Sequence, residues 1–95
     1  MTSVRYTVRF TPPVRRALSE PPPVGLPPTV AFAVAEFING PLRDNPHRVG
    51  KPLDPPMDGI WAARRGEYRV LYRIDEKDEV IIVTSARHRG DAYRT

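Results

Sequence analysis

The chain has 95 residues, which is enough for one small domain and too few for a second hydrophobic core. Its apolar fraction of 40% and charged fraction of 27% are those of an ordinary globular protein, so wholesale disorder is excluded. The absence of cysteine excludes disulfides, a thiolate nucleophile and cysteine-based zinc sites. We therefore predict a single domain over residues 1–95 that is stabilised by packing.

The net charge of the chain is positive. Fifteen Lys and Arg against eleven Asp and Glu give a formal charge of +4, a balance that favours polyanionic partners. Thirteen of these cations are arginines, whose planar guanidinium binds phosphate through two parallel hydrogen bonds. No apolar run approaches the roughly 18 residues that span a bilayer, and no signal peptide is recognisable, so we expect a cytoplasmic protein without a membrane partner.

The N-terminal part of the chain predicts a strand and a short helix. Residues 4–10 alternate apolar with charged or polar side chains, which is the period of a strand with one buried face. The Thr-Pro-Pro sequence at 11–13 is typical of a helix start, and helical spacing of apolar residues continues until just before Pro21.

A proline-rich link and a second helix follow. Residues 21–28 contain five prolines, which predict a stiff, extended connection between the two helices. Apolar residues at helical spacing over 29–38 predict an amphipathic helix, with Gly40-Pro41 as its stop signal. One more turn is possible over 41–45 before a polar loop begins.

The second half of the chain predicts a loop and three strands. Residues 47–58 are polar and rich in Gly and Pro, whereas 60–64, 68–74 and 80–87 have the composition of strands. The polar turn at 75–78 predicts an antiparallel hairpin between the last two strands. The predicted fold class is α+β, with the order β-α-α-β-β-β and two helices packed on a twisted, mainly antiparallel four-stranded sheet.

Arginines mark the strands of this predicted sheet. The period of two places Arg69 and Arg73 on one face of the strand 68–74. Arg87, near the end of the next strand, converges with Arg69 if it leaves on that same face, and Arg64 could join them. Two or three such groups would hold a phosphodiester through charge-assisted hydrogen bonds of about 1.5–3 kcal/mol each.

Cleavage of RNA by its own 2′-hydroxyl would also require proton transfer. A base takes the hydroxyl proton and an acid protonates the leaving 5′-oxygen, and neither step needs a metal or another cofactor. Arginine supplies only charge, because it does not deprotonate in proteins. The titratable candidates are His88, Asp91 and Tyr93 after the last strand, with His47 and Lys51 further away. No metal site is expected, because cysteine is absent and the two histidines are far apart in sequence.

Three separate segments carry recognisable motifs, two of which are GIWAARRGEYRVLY at residues 59–72 and ARHRGDAY at residues 86–93. The first resembles the signature W-x-x-R-x-G-x-Y-R-v-x-Y of the RelE-type toxins of the RelE/ParE toxin–antitoxin superfamily, and the second resembles the C-terminal element x-R-x-R-x-x-x-Y of that family. Residues 40–53 resemble the connection between the second helix and the sheet in that family. The likeness covers nearly the whole chain and is weakest at the proline-rich link.

The resemblance implies a ribosome-dependent endoribonuclease that cuts messenger RNA in the decoding site. It also implies a cognate antitoxin, RelB-like or Phd-like, that holds the toxin inactive in a hetero-oligomer. Arg69 and Arg87 match phosphate-stabilising arginines, Arg64 a supporting basic position, and Tyr93 a tyrosine implicated in orientation or proton transfer. The candidate catalytic residues are Arg69, Arg87, Tyr93 and His88, and the candidate RNA-phosphate ligands are Arg64, Arg65, Arg89 and Lys51.

The sequence departs from the family pattern on the strand before the arginines. The best-studied RelE enzyme carries lysines at the positions of Ile60 and Ala62, so its supposed base is missing here. His88, Asp91 or Lys51 could substitute, and spacing does not choose among them. Two other functions therefore stay open: a ParE-like protein that inhibits DNA gyrase without cleaving RNA, and a catalytically weak RelE relative.

Structural roles compete with several of these assignments. Without the resemblance, an ion pair of Arg69 with Glu67, Glu79 or Asp91 explains that arginine better than phosphate binding, whereas the resemblance reverses this order. Three aromatic residues are predicted to pack in the core rather than to stack on bases: Trp61, Tyr68 and Tyr72. Seven arginines are predicted to be solvated surface: Arg5, Arg9, Arg15, Arg16, Arg43, Arg73 and Arg94.

Overall fold

A computed structural model of the chain describes residues 5–88. Its elements are β1 (Thr7–Phe10), α1 (Pro12–Ser19), α2 (Pro28–Phe37), a π-helical turn (Ile38–Leu42), α3 (Pro46–Val49), β2 (Lys51–Pro52), β3 (Trp61–Arg65), β4 (Tyr68–Asp75) and β5 (Val80–His88). The strands form one sheet in the order β1-β5-β4-β3-β2, in which β1 runs parallel to β5 and the other neighbours are antiparallel. Among residues 5–88, no helix has both the length and the apolar character that crossing a membrane requires.

The predicted α+β class is confirmed, but the sheet has five strands rather than four. The additional strand is β2, which lies in the segment predicted to be a loop and pairs with Trp61 and Ala62 at the edge of the sheet. A strand of two residues shows no alternation in the sequence, and Pro52 argues against a strand except at an edge, which is where it lies. β1 begins only at Thr7, because the amide of Tyr6 donates to the carbonyl of Arg43 at 3.2 Å instead of joining the sheet.

Two predictions about the helical layer were wrong in detail. The proline-rich link is not extended throughout: it turns at 22–24, and the amide of Gly25 donates to the carbonyl of Pro21 at 3.0 Å. The second helix does not stop at Gly40-Pro41 but continues into the π-helical turn. A wider turn accommodates a proline that lacks an amide hydrogen, and two fully buried residues of the turn, Ile38 and Leu42, anchor it in the core.

The core lies between the helices and one face of the sheet. Its fully buried members include Val14 of α1, Val34 of α2 and Val70 of β4. Tyr72 of β4 is also fully buried and donates its hydroxyl to the carbonyl of Pro46 at 2.6 Å. Burial raises the pKa of Tyr72 to about 12. Trp61 and Tyr68 are half-buried and pack against this core, so the predicted packing role of the three aromatic residues is confirmed.

The other face of the sheet carries no helix of the described chain. Along β4, Val70 and Tyr72 are buried beneath the helices, whereas Arg69 and Arg73 are exposed on the opposite side. We call this opposite side the open face.

Candidate functional site

Three arginines form a row across three adjacent strands of the open face. Arg64 of β3 pairs directly with Arg69 of β4, and Arg69 pairs directly with Arg87 of β5. Residues that pair directly in a sheet project to the same side, and all three side chains are exposed. We call Arg64, Arg69 and Arg87 the arginine row. Arg87 therefore leaves its strand on the same face as Arg69, which is the condition for the two side chains to converge.

A β-bulge brings Arg87 into this row. The register between β4 and β5 shifts beside Leu71, which leaves Thr84 as an extra residue without a partner in the ladder. Strict alternation from the buried Val83 would turn Arg87 toward the core, whereas the extra residue inverts the pattern and Ala86 is buried instead. The Thr84 hydroxyl donates to the Leu71 carbonyl at 3.3 Å.

The arginine row has no acidic partner within residues 5–88. Two ion pairs occur in that range, both elsewhere: Arg5–Asp44 at 2.7 Å and His47–Glu76 at 2.6 Å. The structural ion pair considered for Arg69 is thus not formed with Glu67 or Glu79, and Asp91 lies outside the described residues. Like charges at directly opposite positions destabilise a sheet, so the row has an electrostatic cost that a bound anion would relieve.

Lys51 lies on the same face, in the neighbouring row. It pairs with Ala62, which pairs with Leu71, and Leu71 pairs with Ser85. These positions are offset by two residues along the strands from the arginine row, a distance of about 7 Å. The exposed Lys51 side chain therefore lies next to Ala62, one of the two positions at which the best-studied RelE enzyme carries a lysine.

Arg65 and His88 face the other side of the sheet. Both pair with Tyr68, which packs on the core, and adjacent residues of a strand point to opposite faces. The Arg65 guanidinium lies 4.8 Å above the centre of the Phe37 ring, within the range of a cation–π interaction. Burial raises the pKa of the Tyr68 hydroxyl, and the nearby charge of Arg65 opposes that shift. The structure thus does not bring Arg65 or His88 to the arginine row.

Of the remaining predicted site residues, only His47 lies within residues 5–88. His47 packs edge-on against Trp61, with 5.4 Å between ring centres, and away from the row. Tyr93 and Arg89 lie outside the described residues, so their predicted roles stay predictions. Within residues 5–88, no group of three or more His, Asp or Glu side chains is placed to hold a metal ion.

Two arginines predicted to be simple surface also lie on the open face. Arg73 of β4 pairs with Ile82 of β5, and Ile82 pairs with Arg9 of β1. Both arginines are exposed. The sequence shows the alternation of each strand but not that β1 runs parallel to β5, and this pairing is what aligns Arg9 with Arg73.

Comparison with known proteins identifies the family. The model of the family described as ParE toxin of type II toxin-antitoxin system, parDE, matches residues 28–93. Toxin RelG of Mycobacterium tuberculosis is 47% identical over 89 residues, which cover 94% of this chain and 97% of that protein. Toxin RelE of the same organism is 40% identical over 89 residues, covering 94% of this chain and 87% of that protein.

A solved structure gives the same result for the fold. The toxin in the crystal structure of the toxin–antitoxin complex RelBE2 from Mycobacterium tuberculosis superposes with a TM-score of 0.81 and 46% sequence identity. The match covers 90% of this chain and 100% of that one. The family model, the two toxins and the shared fold agree with the three sequence motifs. The chain therefore belongs to the ParE toxin family of type II toxin–antitoxin systems, as a toxin of the RelE type.

Proposed function

We propose that this toxin is a ribosome-dependent endoribonuclease that inhibits translation by cutting messenger RNA at a phosphate held by the arginine row. The observation that carries this proposal is the direct pairing of Arg64, Arg69 and Arg87 on an open face, with no acidic partner among residues 5–88. Three side chains anchored on neighbouring strands form a preorganised cationic surface, which loops provide less reliably.

The proposed reaction is an attack by the RNA on its own backbone. The 2′-hydroxyl oxygen forms a bond to the adjacent phosphorus, and the bond from phosphorus to the 5′-oxygen of the next nucleotide breaks. The products are a 2′,3′-cyclic phosphate and a 5′-hydroxyl. The arginine row stabilises the negative charge that grows on the non-bridging oxygens, and each charge-assisted hydrogen bond contributes about 1.5–3 kcal/mol before ordering costs.

In this proposal Lys51 carries the proton: its amine takes a proton from the 2′-hydroxyl and then gives a proton to the leaving 5′-oxygen. Arginine cannot act as a base, and His88 faces the helices. Lys51 lies on the open face in the row next to the arginines. It pairs with Ala62 of β3, so it places an amine beside the strand that lacks the RelE lysines. Lys51→Arg keeps the charge without the proton transfer, so it is expected to slow cleavage as much as Lys51→Gln does. Equal cleavage by Lys51→Arg and the unmodified protein would remove Lys51 from this role.

The proposal includes an antitoxin as partner. The related Mycobacterium tuberculosis toxin was crystallised as a toxin–antitoxin complex, and the open face of this chain carries several cations that form no ion pair within residues 5–88. A RelB-like antitoxin with an acidic segment that orders on binding would cover such a surface. The ribosome and its message would then be the partners of the free toxin, which implies action in the cytoplasm.

The test is to add the purified protein to ribosomes translating a defined message and to map new RNA ends by primer extension. Cuts within the codon in the decoding site, absent with Arg69→Ala and with Arg87→Ala, are the expected result. Circular dichroism of both variants serves as the control that they remain folded. Cuts that persist unchanged in both variants would contradict the assignment of the arginine row.

A second candidate is a toxin that binds DNA gyrase and cleaves no RNA. The observation that favours it is the replacement of the strand lysines of RelE by Ile60 and Ala62. This candidate predicts an intact message in the ribosome assay and loss of supercoiling in an assay with purified gyrase. A cut message in the ribosome assay together with normal supercoiling by gyrase would exclude this candidate.

A further inference from the structure

We infer that the open face holds a second phosphate of the same RNA strand, at Arg9 and Arg73. This inference rests on the proposed function, because it takes RNA as the ligand of the arginine row. Arg9 and Arg73 flank Ile82 on three adjacent strands and point to the open face. We call these two residues the second arginine pair.

The spacing of the two basic clusters suits a nucleic-acid strand. Arg69 and Arg73 lie four residues apart on β4, or roughly 13 Å, which a few nucleotides of an unstacked strand can span. Between the clusters the open face presents Leu71, Thr84 and Ser85, all half-buried. An apolar side chain beside two hydroxyl-bearing residues accommodates a base and a ribose between two phosphates.

The guanidinium of Arg73 lies on the β3 side of its strand. A Cβ atom added to Gly59, two residues before β3, would lie 3.1 Å from the Arg73 Nη1 atom, so the guanidinium rests against the backbone there and has to turn toward β5 to share a phosphate with Arg9. Gly59 has a φ of +89°, a conformation that L side chains rarely adopt, and a glycine here leaves the required space. Neither Arg9 nor Arg73 forms an ion pair within residues 5–88.

The basic surface ends one row beyond the second arginine pair. There Val80 pairs with Asp75, whose carboxylate accepts a hydrogen bond from the amide of Asp78 at 3.1 Å. Asp75 is thus held by its own turn, and its negative charge would repel a further phosphate. The RNA path in this inference therefore runs from the arginine row to the second arginine pair and no further in that direction.

An RNA strand fits these observations better than an acidic peptide. The second arginine pair continues the surface on which the arginine row would already bind a phosphodiester. Leu71 lies between the two basic clusters and Ile82 lies between Arg9 and Arg73, and both are half-buried. Their apolar side chains can contact the bases of an RNA strand, whereas a peptide rich in carboxylates gains little from apolar contacts.

The experiment measures binding of short RNA by fluorescence anisotropy at low salt. The probes are a trinucleotide and an octanucleotide with 2′-O-methyl groups, which prevent cleavage. The double variant Arg9→Gln/Arg73→Gln is compared with Arg15→Gln/Arg16→Gln, which removes the same charge from the exposed surface of α1. The first double variant is expected to lose several-fold affinity for the octanucleotide and little for the trinucleotide. The slope of its log K against log salt should become shallower by about 0.7 for each phosphate that the variant no longer binds.

Equal losses in the two double variants would reduce the effect to net charge and overturn the second site. Unchanged octanucleotide binding in Arg9→Gln/Arg73→Gln would also overturn it, and if message cleavage persists, the proposed function stands alone. If the unmodified protein binds neither probe and cuts no message, both fail. Binding of an oligoglutamate peptide that depends on Arg9 and Arg73, without RNA binding, would replace RNA by an acidic protein segment.

Discussion

Substitution of Arg69 by glutamine is expected to stabilise the fold while it weakens the site. Arg69 lies between two like charges, because Arg64 and Arg87 are its direct partners on either side. A like-charge pair at opposite positions costs about 0.2–1 kcal/mol, and exposure to solvent places these pairs at the low end. Removal of the central charge relieves both repulsions, so the free energy of unfolding should rise by roughly 0.5 kcal/mol. In a domain of this size, that corresponds to an increase in Tm of about 2–4 °C.

The assay is thermal unfolding followed by circular dichroism, at low salt and at about 1 M salt, where the Debye length is only about 3 Å. Arg73→Gln is the matched control, since it lies on the same strand and face but pairs with the uncharged Ile82. Arg69→Lys keeps the charge and should show little gain. Stabilisation by Arg69→Gln should disappear at high salt. A lower Tm for Arg69→Gln at low salt would refute the reasoning, because it would mean that Arg69 makes a stabilising contact.

Three further predictions concern the core and the bulge. Burial raises the pKa of Tyr72 from an ordinary value of 10.0 to about 12, so folding favours the neutral hydroxyl. The contribution of this pKa shift to the free energy of unfolding is therefore complete below pH 10 and is lost as the pH rises through 12. In urea unfolding, Tyr72→Phe should lose about 1 kcal/mol at pH 8 with the hydrogen bond to Pro46, and its stability should fall less steeply above pH 10 than that of the unmodified protein. Gly50→Ala should cost about 2 kcal/mol in the same assay, because its Cβ would overlap the Tyr72 hydroxyl; unchanged stability would contradict the packing described. Deletion of Thr84 should remove the bulge and leave a regular ladder in which Arg87 still pairs with Arg69 on the open face, so the variant should still cleave; a folded deletion variant that no longer cleaves would contradict the assignment of Thr84 as the extra residue.

Part of the candidate site could be predicted from local sequence alone. Arg64 and Arg69 flank the short turn that contains Gly66, whose φ of +54° is a conformation that glycine adopts without strain. A turn this tight aligns the two strands in one register, and alternation then places both arginines on the side away from Val70. The packing of Tyr72 followed from the same alternation.

The other parts depend on contacts that are distant in sequence. The face of Arg87 depends on a single extra residue, and nothing in the run of β-branched residues around Thr84 indicates where the register shifts. Lys51 reaches the open face through a strand of two residues, which is too short to have a detectable period. Arg9 joins Arg73 only because β1 pairs in parallel with β5, a choice made by tertiary packing.

The most direct test of the central claim compares neighbouring residues that face opposite sides of the sheet. Cleavage rates on translating ribosomes would be measured for Arg87→Ala against His88→Ala, and for Arg64→Ala against Arg65→Ala, after thermal unfolding has shown that each variant is folded. Loss of a charge-assisted hydrogen bond should slow Arg87→Ala and Arg64→Ala by roughly 10- to 100-fold, whereas the variants on the helix face should remain within a few-fold of the unmodified protein. Equal losses on the two faces, or full activity of Arg87→Ala, would contradict a phosphate site on the open face.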